Sequence, residues 1–267
     1  MNHQSLHKNN ELAWDLAASK YAPDVQSDVA LLRSGILSLM PQEQSVLGDL
    51  SSWCQCAIHL QCSHGQDALS LWKLGAAEVV GIDISAAMLR LAQAKTELLG
   101  APASWIHSDI LQVPAELDGT ADLVYTGKGA LPWMMDLERW AGVVVRLLKP
   151  GGKFFVFEGH PLNWIWEPGA TDFCLREDGG DYFSDQPRAN RDFPASAVRR
   201  AVPTDKPVPQ SFERQWTLGT ILTTLVKAGL HLEKLDEYPD QFWPQFDAIP
   251  PHIVQKLPHT FALLMHK

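Results

Sequence analysis

Positive charge is in short supply: 22 Lys and Arg stand against 31 Asp and Glu, a formal net charge of −9. Such a chain has no general attraction for phosphate backbones, which argues against nucleic acid as a partner. Cysteine is sparse as well. Cys54, Cys56, Cys62 and Cys174 give neither a disulfide framework nor a zinc-ligand spacing, and Cys54 and Cys56 lack the separation of a redox pair. No apolar run has the length of a membrane span. The N-terminal MNHQSLHKNNELAW has neither the basic start nor the apolar stretch of a secretion signal. These absences lead us to expect a soluble, cytoplasmic protein with reduced thiols and no nucleic-acid or membrane partner. There is no metal-ligand pattern and no oligomer signal.

What is present is enough hydrophobic sequence, 46% of 267 residues, for one large α/β domain or two small ones. Residues Asn10 to Tyr21 and Asp24 to Met40 carry helical spacing, punctuated by Pro23 and Pro41. From Ala57 onward strands and helices alternate. The strands expected are Ala57–Gln61, Glu78–Ile82, Ala103–His107, Ala121–Thr126 and Lys153–Glu158. The helices expected between them are Gly65–Leu74, Ser85–Leu99 and Leu137–Leu148. Ser85 reads as an N-cap, with Gly100 just past the end of its helix. Such alternation builds a parallel sheet by right-handed crossovers.

The alternation stops between His160 and Phe212, a stretch rich in proline, aromatics and arginine. Trp164, Trp166, Phe173, Tyr182, Phe183 and Phe193 make it too aromatic for a disordered segment, so a lid is expected. FCLREDGGDYFSD reads as a hairpin about Gly179-Gly180. Arg176, Arg188, Arg191, Arg199 and Arg200 would serve either an acidic substrate or a charge-balanced surface. A helix over Thr217–Ala228 and strands over Leu230–Tyr238 and Thr260–Met265 complete the chain.

The stretch AIHLQCSHGQDALSLWKLGAAEVVGIDIS, Ala57 to Ser85, holds the chemistry. It reads strand, tight turn, helix, strand, and the second strand ends on an acid, Asp83. An acid in that place holds ribose hydroxyls in nucleotide-binding α/β units. The turn Gln61-Cys62-Ser63-His64-Gly65 keeps one glycine where a dinucleotide loop carries three. Those glycines let backbone approach a pyrophosphate, so their loss favours a ligand with adenosine and no phosphates.

On these residues the chain from about Ala57 to Pro161 resembles a class I S-adenosylmethionine-dependent methyltransferase. That family's turn runs acid-x-Gly-x-Gly-x-Gly; here His59 stands for the acid and Gln61 and Ser63 for the first two glycines, while Gly65 matches. Four later marks follow in order: VVGIDIS with Asp83, SDILQVP with Asp109, ADLVYTGKGAL, and LLKPGGKFFVFE. The resemblance implies a single domain. A helical cap (1–50) precedes a cofactor-binding core (51–159), then come the substrate lid (160–212) and a C-terminal helix with the last strands (213–267). It implies a Rossmann-like, doubly wound, mostly parallel sheet of order 3-2-1-4-5-7-6.

It also implies S-adenosyl-L-methionine as cofactor and a small-molecule methyl acceptor, methylated at oxygen or nitrogen. The turn, with Gln61, Cys62, Ser63, Gly65 and Gln66, would underlie the methionine half. Asp83 would take the ribose, Asp109 the adenine amino group with the Ile110 N–H nearby, and Ile84 and Ile110 would flank the ring. Thr126 would lie at the cofactor from the fourth strand. Asp67 would either meet the cofactor's amino group or complement its helix dipole. His59 reads as a buried histidine rather than a catalytic group; His64 stays open between the two. Candidates for handling an acceptor proton are His160, which titrates near neutrality, with Lys128 and Tyr125. Lys128 could equally orient an acidic substrate. Trp133, Trp164 and Trp166 would line an acceptor pocket or simply pack, and Trp14 and Tyr21 would either shield the site from the N-terminal cap or serve as a hydrophobic anchor for it. Two other readings stay open. One is a binding or regulatory protein that keeps the fold without transfer. The other is a nicotinamide-dependent oxidoreductase, which would need the phosphate loop that is missing here.

Overall fold

The computed structural model describes residues 3–167, 169–177, 181–184, 186–190 and 209–267. Its strands are β1 (Cys56–Leu60), β2 (Glu78–Asp83), β3 (Ala103–His107), β4 (Ala121–Gly127), β5 (Leu148–Gly159), β6 (Arg188–Asn190), β7 (Ser211–Glu213), β8 (His231–Tyr238) and β9 (Thr260–His266). Its helices are α1 (His3–Tyr21), α2 (Val25–Arg33), α3 (Pro41–Leu47), α4 (Gln66–Lys73), α5 (Ala86–Leu99), α6 (Leu137–Leu147), α7 (Leu218–Lys227) and α8 (Pro251–Val254). Seven strands form one sheet in the order β3-β2-β1-β4-β5-β9-β8, and β6 pairs with β7 in a separate ribbon. β1 to β5 are parallel; β9 runs antiparallel to both β5 and β8. With the ribbon set aside, this is the order expected from the sequence.

Both faces of the sheet are covered, which is why its central strands read as continuous apolar runs. On one face Ile58, Leu60, Val124, Phe154 and Val156 pack with Trp140 and Val144 of α6 and Ile221 and Leu225 of α7. On the other, Ala57, Leu123, Tyr125, Phe155 and Phe157 pack with Leu47 of α3 and Leu71 of α4. The caps follow sequence chemistry. The Ser85 hydroxyl accepts the Met88 N–H and Gly100 closes α5 in the left-handed region, while the Thr217 hydroxyl accepts the Thr220 N–H at α7.

The N-terminal cap departs from expectation. α1 starts at His3 instead of Asn10, and the single helix expected over Asp24–Met40 ends at Arg33. Gly35 sits at φ 83°, a left-handed residue that turns the chain. A new helix, α3, then begins with Pro41 in its first turn and Glu43 folded back on the Met40 N–H at 2.7 Å. Pro41 was expected to end a helix and instead starts one. β5 begins at Leu148, earlier than expected, because Leu148 already pairs with Ala121 of β4, ahead of an irregularity that ends at Lys153.

Within residues 160–212, expected as a lid, the described elements include a short helical turn over Pro161–Ile165 and β6, which pairs with β7. The hairpin expected about Gly179-Gly180 lies outside the described residues, as do Arg191, Phe193, Arg199 and Arg200. Upstream of Gly179, an antiparallel bridge joins Trp166 and Leu175. Among the described residues no helix is long and apolar enough to cross a membrane.

Candidate active site

The crevice forms where the strand order reverses, beyond the carboxyl ends of β1, β2 and β4. The turn after β1 keeps a glycine-type backbone without the glycines: Gln61 has φ 59°, Ser63 φ 50° and Gly65 φ 76°. A non-glycine residue in the left-handed region carries backbone strain, which the surrounding bonds must hold. Here the Cys62 N–H donates to the Ile82 carbonyl at 3.0 Å, the Ser63 N–H to Asp83 Oδ2 at 2.7 Å and the Gly65 N–H to the Cys62 carbonyl at 2.9 Å. Gly65 itself tolerates nothing larger, since a Cβ would lie 2.5 Å from the Trp105 ring and 2.6 Å from Ala92.

Asp83 closes β2 with its side chain buried. Its Oδ1 accepts the Ser85 N–H at 2.8 Å and its Oδ2 the Ser63 N–H. Each oxygen retains a lone pair for another donor. Burial pushes its carboxyl up to about 6, against the pull of those two N–H groups. Asp109, after β3, accepts the Leu111 N–H through Oδ1. Its Oδ2 lies 2.7 Å from Nδ1 of His7. Because the Met135 N–H donates to the other ring nitrogen of His7, Nδ1 carries the proton and donates to Asp109. Against burial, that bond helps hold Asp109 below the usual carboxylate range.

His7 belongs to α1, which lies across the crevice as a clasp. Asp15 accepts the Ser85 hydroxyl at 2.7 Å and the Ala87 N–H at 3.0 Å. Asn10 exchanges two hydrogen bonds with the backbone of Phe212 in β7. Trp14 meets Trp133 edge-on at 5.3 Å, and Tyr21 lies over His64 at 4.6 Å. Sequence reasoning missed His7, Asn10 and Asp15. One signal existed: His7, Asn10, Trp14, Ala17 and Tyr21 continue one helical stripe, and polar residues on a buried stripe need partners.

Other expected site residues spend their groups on the scaffold. Thr126 is fully buried and its hydroxyl donates to the Leu60 carbonyl at 3.2 Å. Gln66 faces α2 and α5, through the Asp28 carbonyl and Lys95. Cys62 is buried beneath the turn, and burial pushes its thiol well up. Ile84 is half-buried, with its carbonyl 2.9 Å from Nε2 of His107. Ile110 sits in the core beneath α6. His64 pairs with Lys95 at 2.5 Å, and Lys95, with no exposed surface, also reaches Asp28 at 2.6 Å. Burial first and Lys95 second push His64 down to about 3, so its ring is neutral.

Tyr125 has no access to the crevice. It is fully buried, and its hydroxyl donates to Glu43 at 2.6 Å. Nothing in the sequence analysis singled out Glu43; burial pushes it up to about 7. Lys128, at φ 55°, donates to Asp67 Oδ1 at 2.8 Å and the Ser38 carbonyl at 2.7 Å. Against the downward push of burial, Asp67 and Glu43 keep it above the usual lysine range, so it is charged. His160 has both ring nitrogens engaged. Nδ1 accepts the Leu162 N–H at 3.1 Å, which leaves Nε2 to donate to Glu237 at 2.8 Å. In this arrangement it has no lone pair for an acceptor proton.

A cleft opens beyond β4 and β5, lined by Gly129, His160, Asn163, Trp164, Phe242 and Trp243 among others. Trp243 lies against Gly129, where a Cβ would meet its ring at 2.7 Å. Glu158 forms the floor and holds the loop shut: its carboxylate accepts N–H groups from Gly129, Ala130, Leu131 and Gly159. Of the three tryptophans expected at an acceptor pocket, Trp164 lines the cleft, Trp166 packs with Phe173 at 5.1 Å in a separate apolar cluster, and Trp133 meets Trp14.

Known proteins resemble this chain in sequence and in fold. The methyltransferase-domain family matches residues 57–152. A demethylmenaquinone methyltransferase of Thermus thermophilus is 36% identical over 85 residues, which is 32% of this chain and 38% of that protein. The chain thus aligns with well under half of that relative. An S-adenosylmethionine-dependent methyltransferase from Mesorhizobium loti superposes with a TM-score of 0.61 at 22% identity, over 85% of this chain and 96% of that one. A methyltransferase structure of the same kind from Methanosarcina mazei gives 0.58 at 16%, over 86% and 99%. Residues 57–152 therefore match a methyltransferase-domain family, and the sheet that contains them shares its fold with S-adenosylmethionine-dependent methyltransferases of known structure.

Proposed function

We propose that this chain binds S-adenosylmethionine across the ends of β1, β2 and β3 and transfers its methyl group to a small molecule held in the cleft beyond β4 and β5. The observation that carries the reading is Asp83. It is a buried carboxylate at the end of the second strand, with one free lone pair on each oxygen, next to a turn whose backbone is left-handed at Gln61, Ser63 and Gly65. Paired ribose hydroxyls fit such a carboxylate, and a phosphate does not. Unpartnered buried atoms nearby, both ring nitrogens of His59 and Oε1 of Gln61, also fit a polar ligand at the turn. Bound there, the cofactor supplies a methyl already activated on a sulfonium.

The protein's own task is then alignment and exclusion of water. Asp83 fixes the ribose and Asp109 lies at the adenine end. His7, Asp15 and Trp14 of α1 close over both. Trp164, Phe242 and Trp243 give the acceptor cleft apolar walls. His160 shapes that cleft as a bonded wall; its pairing with Glu237 and Leu162 is scaffold rather than proton transfer.

Calorimetric titration with S-adenosylhomocysteine, with NAD as control, tests the cofactor half. Micromolar binding of the first alone is expected; binding of NAD alone would replace this reading with an oxidoreductase. Transfer of a labelled methyl group to small-molecule extracts tests the other half. Binding with no transfer to any fraction would leave a non-catalytic binding protein.

A further inference from the structure

Beneath the turn lies a compact polar chamber between β1, β4, α3 and α4. His59 faces into it, 2% exposed, with its ring 4.7 Å from Tyr125 and neither nitrogen hydrogen-bonded. Gln61, two residues on, anchors its amide nitrogen on the Ala130 carbonyl at 2.8 Å and leaves Oε1 buried and unpaired. Asp67 comes from the first turn of α4. Its Oδ1 takes both bonds, from Lys128 and from the Ser38 hydroxyl at 2.5 Å, and its Oδ2 takes none. A buried acceptor without a donor costs about 1–3 kcal/mol. His59 and Gln61 hold such buried, unpaired atoms, and Asp67, whose charge acts on the His59 ring, keeps one carboxylate oxygen without a hydrogen bond; together they suit a donor-rich ligand group.

Charge decides which group. The chamber holds Glu43 and Asp67 against Lys128 alone, so it is at best neutral and otherwise negative. An acid at 59, as in the turn this sequence resembles, would put a third carboxylate on one lysine. Like charges crowded in a dry site disfavour their own ionisation. Histidine avoids that: burial pushes the His59 ring down to about 4, which keeps it neutral.

We propose that in this protein Asp67, at the start of α4, is the anionic partner of the cofactor's α-ammonium, in place of an acid at the end of β1. Gln61 Oε1 acts as the second acceptor and His59 as the neutral residue that the exchange requires. The inference rests on the cofactor reading above and goes further, because it assigns the amino-acid end of the ligand to residues outside the usual acidic position. Asp67 and Gln61 are specificity residues: they distinguish a ligand with an α-ammonium from one without.

The test is calorimetric titration of the full chain with S-adenosylhomocysteine and with its analogue carrying hydrogen in place of the α-amino group. The wild type is expected to prefer the amino ligand by about tenfold or more, the scale of a charged hydrogen bond. Asp67→Asn should remove most of that preference by weakening the amino ligand alone. Adding His59→Asp to Asp67→Asn should bring it back, because the charge returns to the chamber from the other wall. If Asp67→Asn does not fold, as judged by circular dichroism, Gln61→Leu is titrated instead, and a reduced preference is expected. A wild-type preference retained in either variant overturns the proposal. So does equal binding of the two ligands by the wild type, which leaves the cofactor reading standing. Binding of neither ligand overturns that reading and this inference with it.

Discussion

The two halves of the crevice are built differently. The cofactor half is made at the ends of consecutive strands: Gln61 and Ser63 lie in the turn just after β1, Asp83 is the last residue of β2 and Asp109 comes just after β3. Asp83 bonds within this strand-end cluster, to Ser85 two positions on and to Ser63 in the neighbouring turn, and α1 is added to it from a distance. The acceptor half draws on residues 129–132, 158–164, 241–245 and 259, brought together from one side of the chain to the other. One half is set by local chain geometry and tolerates wide sequence change around a few fixed positions. The other is set by how distant loops pack, so its shape varies with each of them.

The comparison breaks most sharply at Asp83. Asp83→Ala removes two charge-assisted acceptors, each worth about 1.5–3 kcal/mol, so the affinity for S-adenosylhomocysteine should fall about tenfold or more. Calorimetry reads this directly, and unchanged affinity would move the cofactor out of this half. Next is the packing that supports it. A Cβ on Gly81 would lie 2.3 Å from the Trp105 ring and 2.8 Å from Cys62 Sγ, just under the turn. Gly81→Ala should cost about 1–3 kcal/mol in urea unfolding. Gly142→Ala, on an exposed helical position with open space around it, should stabilise by up to about 1 kcal/mol. Equal effects at the two sites would show that Trp105 relaxes freely.

In the acceptor half, His160→Ala should cost about 1 kcal/mol of stability through its lost bonds and leave S-adenosylhomocysteine binding intact. Turnover that falls while stability holds would return His160 to the role of base. A pH series separates the halves further. Burial lifts the folded Asp83 carboxyl to about 6, and ribose hydroxyls are best accepted by its ionised form. Cofactor affinity should therefore weaken as pH falls through about 6 and be full above it. The sign for stability is opposite, because an acid with a raised folded value is easier to bury protonated, so its contribution declines as pH rises through that window. A flat binding profile from about pH 5 to 7.5 would place the ribose on another group.

The smallest effect is expected at His59. Its folded value is depressed to about 4, so the stability it contributes is lost as pH falls from about 6.5 towards 4. His59→Leu removes that loss and two unpaired nitrogens, and should raise unfolding free energy near pH 5 by about 1 kcal/mol. A variant less stable than wild type would mean that the ring has a donor or acceptor of its own.

How far the sequence reaches follows from the range of the forces involved. Strand spacing, the Ser85 and Thr217 caps, the acid after VVGI and the order of the sheet were legible because periodicity, capping and crossover handedness act over a few residues. The left-handed turn was legible only as a resemblance, since Gln61 and Ser63 are not residues that announce such a backbone. The split of the second helix at Gly35 and the start of α3 at Pro41 were missed, because an apolar stripe continues across both. What only the tertiary structure decided is which polar groups were already taken. Tyr125 goes to Glu43, Thr126 to Leu60, His160 to Glu237 and Leu162, and His7 reaches Asp109 across 102 positions. A side chain's type states what it can bond, but in a dry interior its partner is whatever donor or acceptor the packing brings within 3 Å or so, and no local pattern records that.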